Sequence, residues 1–249
     1  MQNEELRGRH AIVTGGGRGI GLAVAQELQL RGARISVVSR TVNAAGGPGS
    51  FFCAQADLLE SDQIDAAFAA ARIANGPIDL LINNSGIAES APFVRTDRAM
   101  WDRVIGVNLT GTFLCSQTVA REMLERKFGR IVNVASIAGL FGAPYIAAYC
   151  ASKHGVIGLT RALAAEFAGR GVTVNAVCPG YTETDMMTQA LENIRAKTGV
   201  SEMQARETLA QTNPGGRIVT PQEVGLAVAD LCAGESTGQA IVLPGGEIR

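Results

Sequence analysis

Ala11-Ile12-Val13-Thr14-Gly15-Gly16-Gly17-Arg18-Gly19-Ile20-Gly21 sets an apolar, β-prone triplet directly against a glycine-rich turn, and an apolar-periodic segment to about Arg31 follows. Such a succession predicts a buried strand, a tight turn and a helix N-terminus. Together these form an anion site, because unpaired backbone N–H groups point at the ligand and glycines admit its close approach. The strand and helix fall where that mechanism requires them, so the stretch predicts an α/β fold that holds a dinucleotide. A glycine turn by itself would be only a tight bend.

Further along the chain, Ile35 to Val38 reads as a second strand ending in Ser39-Arg40-Thr41. An acid at this point would bind a ribose hydroxyl and repel a 2′-phosphate, whereas an arginine accepts that phosphate. With Arg40 present and the acid absent, NADP(H) is favoured and NAD(H) stays open. Thr41 to Ser50 carries three glycines and a proline. It is too short for a crossover helix before the next strand, Phe51 to Ala54, and is expected to be an irregular loop. Asp57-Leu58 is placed to meet the adenine edge, or else caps a helix from Ser61 to Ile73.

Ile78 to Ile82 is the next strand and runs into Asn83-Asn84-Ser85-Gly86, small polar residues at the strand end where parallel sheets bind ligands. A helix is expected over Thr110 to Lys127, with Asn108 at or just before its start, a position where an isolated Asn is most often a cap. Strand Ile131 to Val134 ends at Ala135-Ser136, placing Ser136 on the same rim as Asn84. Val172 to Val177 and Gln239 to Leu243 complete about seven strands, and Pro221 opens a last helix to about Cys232.

Tyr149-Cys150-Ala151-Ser152-Lys153 places a phenol and an ammonium one helical turn apart on one face. A fixed positive charge draws a phenol's pKa down from about 10, and the effect is large enough for catalysis only in a partly desolvated pocket. Helical geometry turns Cys150 away from that face and points His154 about 100° from Lys153. Both read as packing residues.

Composition narrows the classes. The chain has 249 residues, 47% of them hydrophobic, and a formal net charge of −1 with scattered cations, which argues against nucleic-acid or anionic-membrane partners. Five separated cysteines without a CxxC pair fit unpaired thiols in a reducing compartment, and two histidines offer no metal cluster. The polar N-terminus and the lack of an apolar run of about 18 residues predict a cytoplasmic protein without a signal peptide or membrane span.

With these residues in place, the chain resembles the short-chain dehydrogenase/reductase family over essentially its whole length. The pattern TGxxxGxG is met by Thr14 to Gly21. NNAG is met by Asn83 to Gly86, with Ser85 in place of alanine. The catalytic Asn, Ser, Tyr and Lys correspond to Asn108, Ser136, Tyr149 and Lys153, and the PG motif to Pro179-Gly180 followed by Thr182 and Thr184. The resemblance implies a single domain over residues 1–249: a Rossmann-like doubly wound parallel sheet with helices on both faces. A mobile helical lid is implied as an insertion at about 182–212. The implied activity interconverts a ketone and a secondary alcohol with a nicotinamide cofactor held by Gly15, Gly17, Arg18, Gly19, Ile20, Gly21, Ser39, Arg40, Thr41, Asp57, Leu58, Asn84, Ser85, Gly86, Tyr149, Lys153, Pro179, Gly180, Thr182 and Thr184. Tyr149 acts as acid or base with its pKa lowered by Lys153, Ser136 hydrogen-bonds the developing alkoxide, and Asn108 anchors a water in a proton relay. No metal is implied.

A largely apolar substrate pocket is expected from Ser136, Ile137, Ala138, Phe141, Tyr145, Tyr149, Met186 and Met187. Motif order is similar to 3-oxoacyl thioester reductases on an acyl carrier protein or CoA. Lys127 and Arg170 occupy the basic positions that meet an acidic carrier in those proteins, and Arg195, Lys197 and Arg206 could meet CoA phosphates. The short loop after Arg40 instead resembles dehydrogenases of small cyclic or aromatic alcohols and diols. An NADP(H) sensor without turnover is a further alternative, disfavoured by the intact Ser136, Tyr149 and Lys153. The resemblance also implies a homotetramer, with Thr110 to Lys127 and Tyr149 to Gly169 as contact helices.

Overall fold

The computed structural model describes residues 4–41 and 51–246. Most of the loop expected over Thr41 to Ser50 lies outside the described residues. Seven parallel strands form one sheet in the order β3-β2-β1-β4-β5-β6-β7. They are β1 (His10–Thr14), β2 (Arg34–Ser39), β3 (Phe52–Gln55), β4 (Leu80–Asn83), β5 (Gly129–Val134), β6 (Val172–Pro179) and β7 (Ala240–Leu243). The helices are α1 (Gly19–Leu30), α2 (Ser61–Asn75), α3 (Arg98–Ile105), α4 (Gly111–Arg126), α5 (Ala147–Glu166), α6 (Asp185–Thr198), α7 (Glu202–Thr212) and α8 (Pro221–Ala233).

Strand residues alternate between two buried layers, as a sheet covered on both faces demands. Ala11, Val13, Leu80, Ile82, Val132 and Val134 pack on one side with Val24 and Leu28 of α1 and Val224 and Val228 of α8. Ile12, Leu81 and Ile131 pack on the other with Phe68 of α2, Val119 and Met123 of α4, and Phe167 just beyond α5. The strand order reverses at β1, whose neighbours are β2 and β4. A crevice therefore opens above the carboxyl ends of β1 and β4, the switch point where such sheets take ligands.

His10 is part of this frame. Fully buried, its ring nitrogens meet the Gly76 carbonyl at 2.7 Å and the Ser36 hydroxyl at 2.8 Å, tying β1 to β2 and the end of α2. Burial holds its pKa below the ordinary value.

Two elements depart from the sequence reading. Helix α3 was not foreseen, and it does not stop before α4: a widened turn over Gly106–Thr110 joins the two into one continuous helical run. Asn108 is therefore buried inside a helix and not a cap. Asp57 does not cap α2, which begins after Glu60; its carboxylate accepts the Leu59 N–H at 3.0 Å and closes the turn that leads there.

Candidate active site

The glycine turn shows in its geometry why these positions carry no side chain. Gly15 and Gly19 have φ of +65° and +52°, the left-handed region that favours glycine. A Cβ on Gly21 would stand 2.3 Å from the Gly15 carbonyl oxygen and 2.5 Å from Asn84 Nδ2. Arg18 precedes α1 in an extended conformation and no side chain caps that helix, so its first N–H groups face the crevice. Gly17 has open space where a side chain would be. This bare, donor-rich turn fits a dinucleotide diphosphate.

The β4 end is stitched to the same turn. Thr14 Oγ1 accepts the N–H groups of Asn84 at 3.0 Å and Ser85 at 3.1 Å, and Asn84 Nδ2 donates to the carbonyls of Thr14 and Gly15. Ser39 closes the end of β2 by donating to the Thr41 carbonyl at 2.7 Å, and Arg40 is exposed beside it. Leu58 is buried in the layer of α2 and α4, and Ile20 packs against the layer of α1 and α8.

Ser136 leaves β5, and its Oγ accepts the Ala138 N–H at 3.1 Å in the short helical turn Ile137–Gly139. Tyr149 and Lys153 follow on α5. Lys153 is buried and its Nζ donates to the Val134 carbonyl at 2.8 Å, 5.7 Å from the centroid of the Tyr149 ring. Burial lowers Lys153 to about 8. Burial also pushes the Tyr149 phenol up to about 12, partly offset by a hydrogen bond with the Ser136 side chain. The sequence reading had Lys153 lowering Tyr149. In the protein alone desolvation wins, because the lysine is itself drawn toward neutrality and spends its hydrogen bond on Val134.

Asn108 clamps this region. Its Oδ1 accepts the Ile87 N–H at 2.8 Å, and its Nδ2 donates to the Ile87 carbonyl and to Ser152 Oγ, both at 3.0 Å. A Cβ on Gly86 would lie 3.4 Å from Asn108 Oδ1 and 3.5 Å from Lys153 Nζ. Gly86, Asn108 and Lys153 thus converge, with Ser136 and Tyr149 on the adjoining rim.

The remaining expected residues divide. Thr184 reaches the glycine turn, its Cγ2 3.2 Å from where a Gly19 Cβ would be, whereas Thr182 is buried and donates to the Gly180 carbonyl at 3.0 Å. Arg18 pairs with Asp185 at 3.0 Å, both exposed, bridging the turn to α6. Phe141, Tyr145 and Met186 are exposed, but Met187 is not at the mouth: it packs with Leu191, Ala205 and Leu209 in the core shared by α6 and α7. Tyr145 takes a left-handed φ of +69°, and its carbonyl accepts the Ala91 N–H at 2.8 Å, joining the loops after β4 and β5.

His154 is exposed and not packed. Cys150 is half-buried, and its Sγ donates to the Phe141 carbonyl at 4.0 Å. Tyr181 follows Pro179-Gly180 directly, and its main chain is held by Asn213. Among the described residues no cluster of metal-ligating side chains occurs, and no helix is long and apolar enough to cross a membrane.

A parallel sheet with a diphosphate-binding turn at its switch point and a Ser, Tyr and Lys on the adjoining rim defines a nicotinamide-dependent oxidoreductase. The family model described as short chain dehydrogenase matches residues 9–195. The chain belongs to that family, whose members act on CH–OH and C=O groups. It is similar to 2-(S)-hydroxypropyl-CoM dehydrogenase 3 of Xanthobacter autotrophicus, at 39% identity over 98% of each chain. The 3-oxoacyl-[acyl-carrier-protein] reductase MabA of Mycobacterium tuberculosis is 38% identical over 96% of this chain and 92% of its own. The structure of a variant of actinorhodin polyketide ketoreductase with NADPH superposes with a TM-score of 0.88 at 38% identity, covering 95% of this chain and 96% of the other.

Proposed function

We propose that the protein is an NADP(H)-dependent reductase of 3-oxoacyl thioesters, carried on an acyl carrier protein or CoA. The observation that carries the ketone chemistry is the convergence of Ser136, at the end of β5, and Tyr149 of α5 on the rim that also holds Lys153. When bound, the nicotinamide supplies the hydride in reduction and takes it up in oxidation. Tyr149 donates its phenolic proton to the carbonyl oxygen, and its raised pKa keeps that proton in place until charge develops on the oxygen. Ser136 donates a hydrogen bond to the same oxygen, an interaction that strengthens as the alkoxide forms. Lys153, its pKa lowered by burial to about 8, is suited to replace the proton that Tyr149 gives up. Asn108, beside Lys153 across Gly86, anchors the water that begins the relay to solvent.

The exposed Arg40 at the end of β2 favours the 2′-phosphate, which supports NADP(H) over NAD(H). The α6–α7 pair forms the lid, with Met186 and the exposed Phe141 and Tyr145 giving an apolar mouth. Lys127 and Arg170, both exposed, are the proposed contacts for an acidic carrier protein. We further propose a single domain and a cytoplasmic homotetramer built on α4 and α5, where Phe113 is exposed.

Similarity to the hydroxypropyl-CoM dehydrogenase supports a second reading, oxidation of a small secondary alcohol. Initial rates with acetoacetyl-CoA, cyclic ketones and aryl ketones, each with NADPH and NADH, separate the two. Preference for the thioester with NADPH supports the first reading; preference for a small ketone or for NADH supports the second.

A further inference from the structure

Asn213 ends α7 and is almost completely buried. Its carboxamide grips the main chain of Tyr181 on both sides: Oδ1 accepts the Tyr181 N–H at 2.7 Å, and Nδ2 donates to the Tyr181 carbonyl at 3.0 Å. The same Nδ2 donates to the Arg217 carbonyl at 2.7 Å. A side-chain amide here does the work of a strand partner. The fit is close enough that a Cβ on Gly180 would come within 2.3 Å of Asn213 Oδ1.

Around this grip the two stems of the α6–α7 excursion are fastened together. Val219 N–H donates to the Tyr181 carbonyl at 2.9 Å, Glu183 N–H donates to the Val219 carbonyl at 3.0 Å, and Thr182 bridges Val219. Tyr181 follows the carboxyl end of β6, next to β5, whose own end carries Ser136 on the rim shared with Tyr149. The end of α7 is thereby tied to the wall that faces the catalytic phenol.

We infer that Asn213 is a positioning residue of this active site, fixing the backbone of Tyr181 so that its ring walls the catalytic tyrosine while α6 and α7 move about a fastened stem. The inference rests on the proposed ketone chemistry for its kinetic consequence but not for its structural one. Asn213→Ala leaves the buried Tyr181 N–H without that partner, a loss that translates to about tenfold or more in kcat/KM. Asn213→Asp keeps the acceptor but sets a carboxylate oxygen against two carbonyls. Protonation of that carboxyl restores a donor.

Two measurements test this. Hydrogen exchange of the cofactor-free protein should show faster exchange at Tyr181 in Asn213→Ala than in the parent; unchanged exchange overturns the inference. Where the parent reduces a ketone, the ratio of Asn213→Asp to parent kcat/KM should climb as pH falls from about 8 to about 5.5, and a pH-independent ratio overturns it. In a Tyr181→Ala background, Asn213→Ala should cost little more; full additivity overturns action through Tyr181. Absence of ketone turnover in the parent would instead count against the proposed function, with the exchange measurement still deciding the role of Asn213. If Asn213→Ala does not fold, Asn213→Leu, which removes the acceptor while filling the space, supplies the exchange reading and Asn213→Asp the pH reading.

Discussion

Replacing Lys153 with Met should erase one segment of the protein's pH–stability profile. Burial lowers the lysine from its ordinary 10.5 to about 8 in the folded chain. Below pH 8 both folded and unfolded states hold the proton, and the group adds no pH dependence. Between 8 and 10.5 the unfolded chain keeps a proton that the folded chain has released, so stability rises with pH. At about 1.4 kcal/mol per pH unit the gain reaches roughly 2.5 kcal/mol by about pH 10.

Other groups pull the opposite way. Burial pushes Cys115 to about 12, Cys178 to about 11, Cys232 to about 12 and Tyr149 to about 12, so their unfolded forms ionise first and stability falls at alkaline pH. The difference between parent and Lys153→Met isolates the lysine. Urea unfolding of both proteins at one protein concentration, between about pH 7 and 10, is the assay. The parent should gain roughly 2.5 kcal/mol relative to the variant across that range. Parallel profiles would refute a desolvated Lys153.

Arg40→Ala should weaken NADPH about tenfold or more while changing NADH little, because a charge-assisted contact to the 2′-phosphate is lost; equal effects in equilibrium binding would remove Arg40 from that role. Gly21→Ala should abolish cofactor binding or destabilise the chain, since its Cβ would overlap the Gly15 carbonyl at 2.3 Å. Unchanged thermal stability together with unchanged cofactor affinity would contradict the packing described for the turn.

The fold was legible because its signals are local and repeated. Continuous β-branched and aliphatic runs such as Ile35 to Val38 and Ile131 to Val134 mark strands buried on both faces, and the glycines at 15 and 19 meet a left-handed backbone while Gly21 meets the close approach of the Gly15 carbonyl. The seven strands follow from that pattern, whereas Tyr149 and Lys153 are read from their one-turn spacing and, with Ser136, from the family's motifs. What escaped depends on tertiary context. The widened turn at Gly106–Thr110 has no propensity signature, so the sequence sets Asn108 at or just before a helix start, whereas it lies inside a continuous helical run as a buried clamp between Ile87 and Ser152.

Met187 and Met186 are adjacent in sequence, yet only packing against Leu191 and Leu209 decides which one faces solvent. The direction of the Tyr149 shift needed the burial of both partners and the hydrogen bond of Lys153 to Val134, neither of which a four-residue spacing contains. Asn213 lies 32 positions from the backbone it grips, beyond any local pattern.

The central claim is that Tyr149 supplies the proton for carbonyl reduction. The most direct test compares Tyr149→Phe with the parent for NADPH oxidation by a ketone substrate, alongside NADPH affinity measured by equilibrium fluorescence. The account predicts loss of turnover by at least about a hundredfold with cofactor affinity nearly unchanged. Turnover retained at the parent rate, with the cofactor bound equally well, would contradict it.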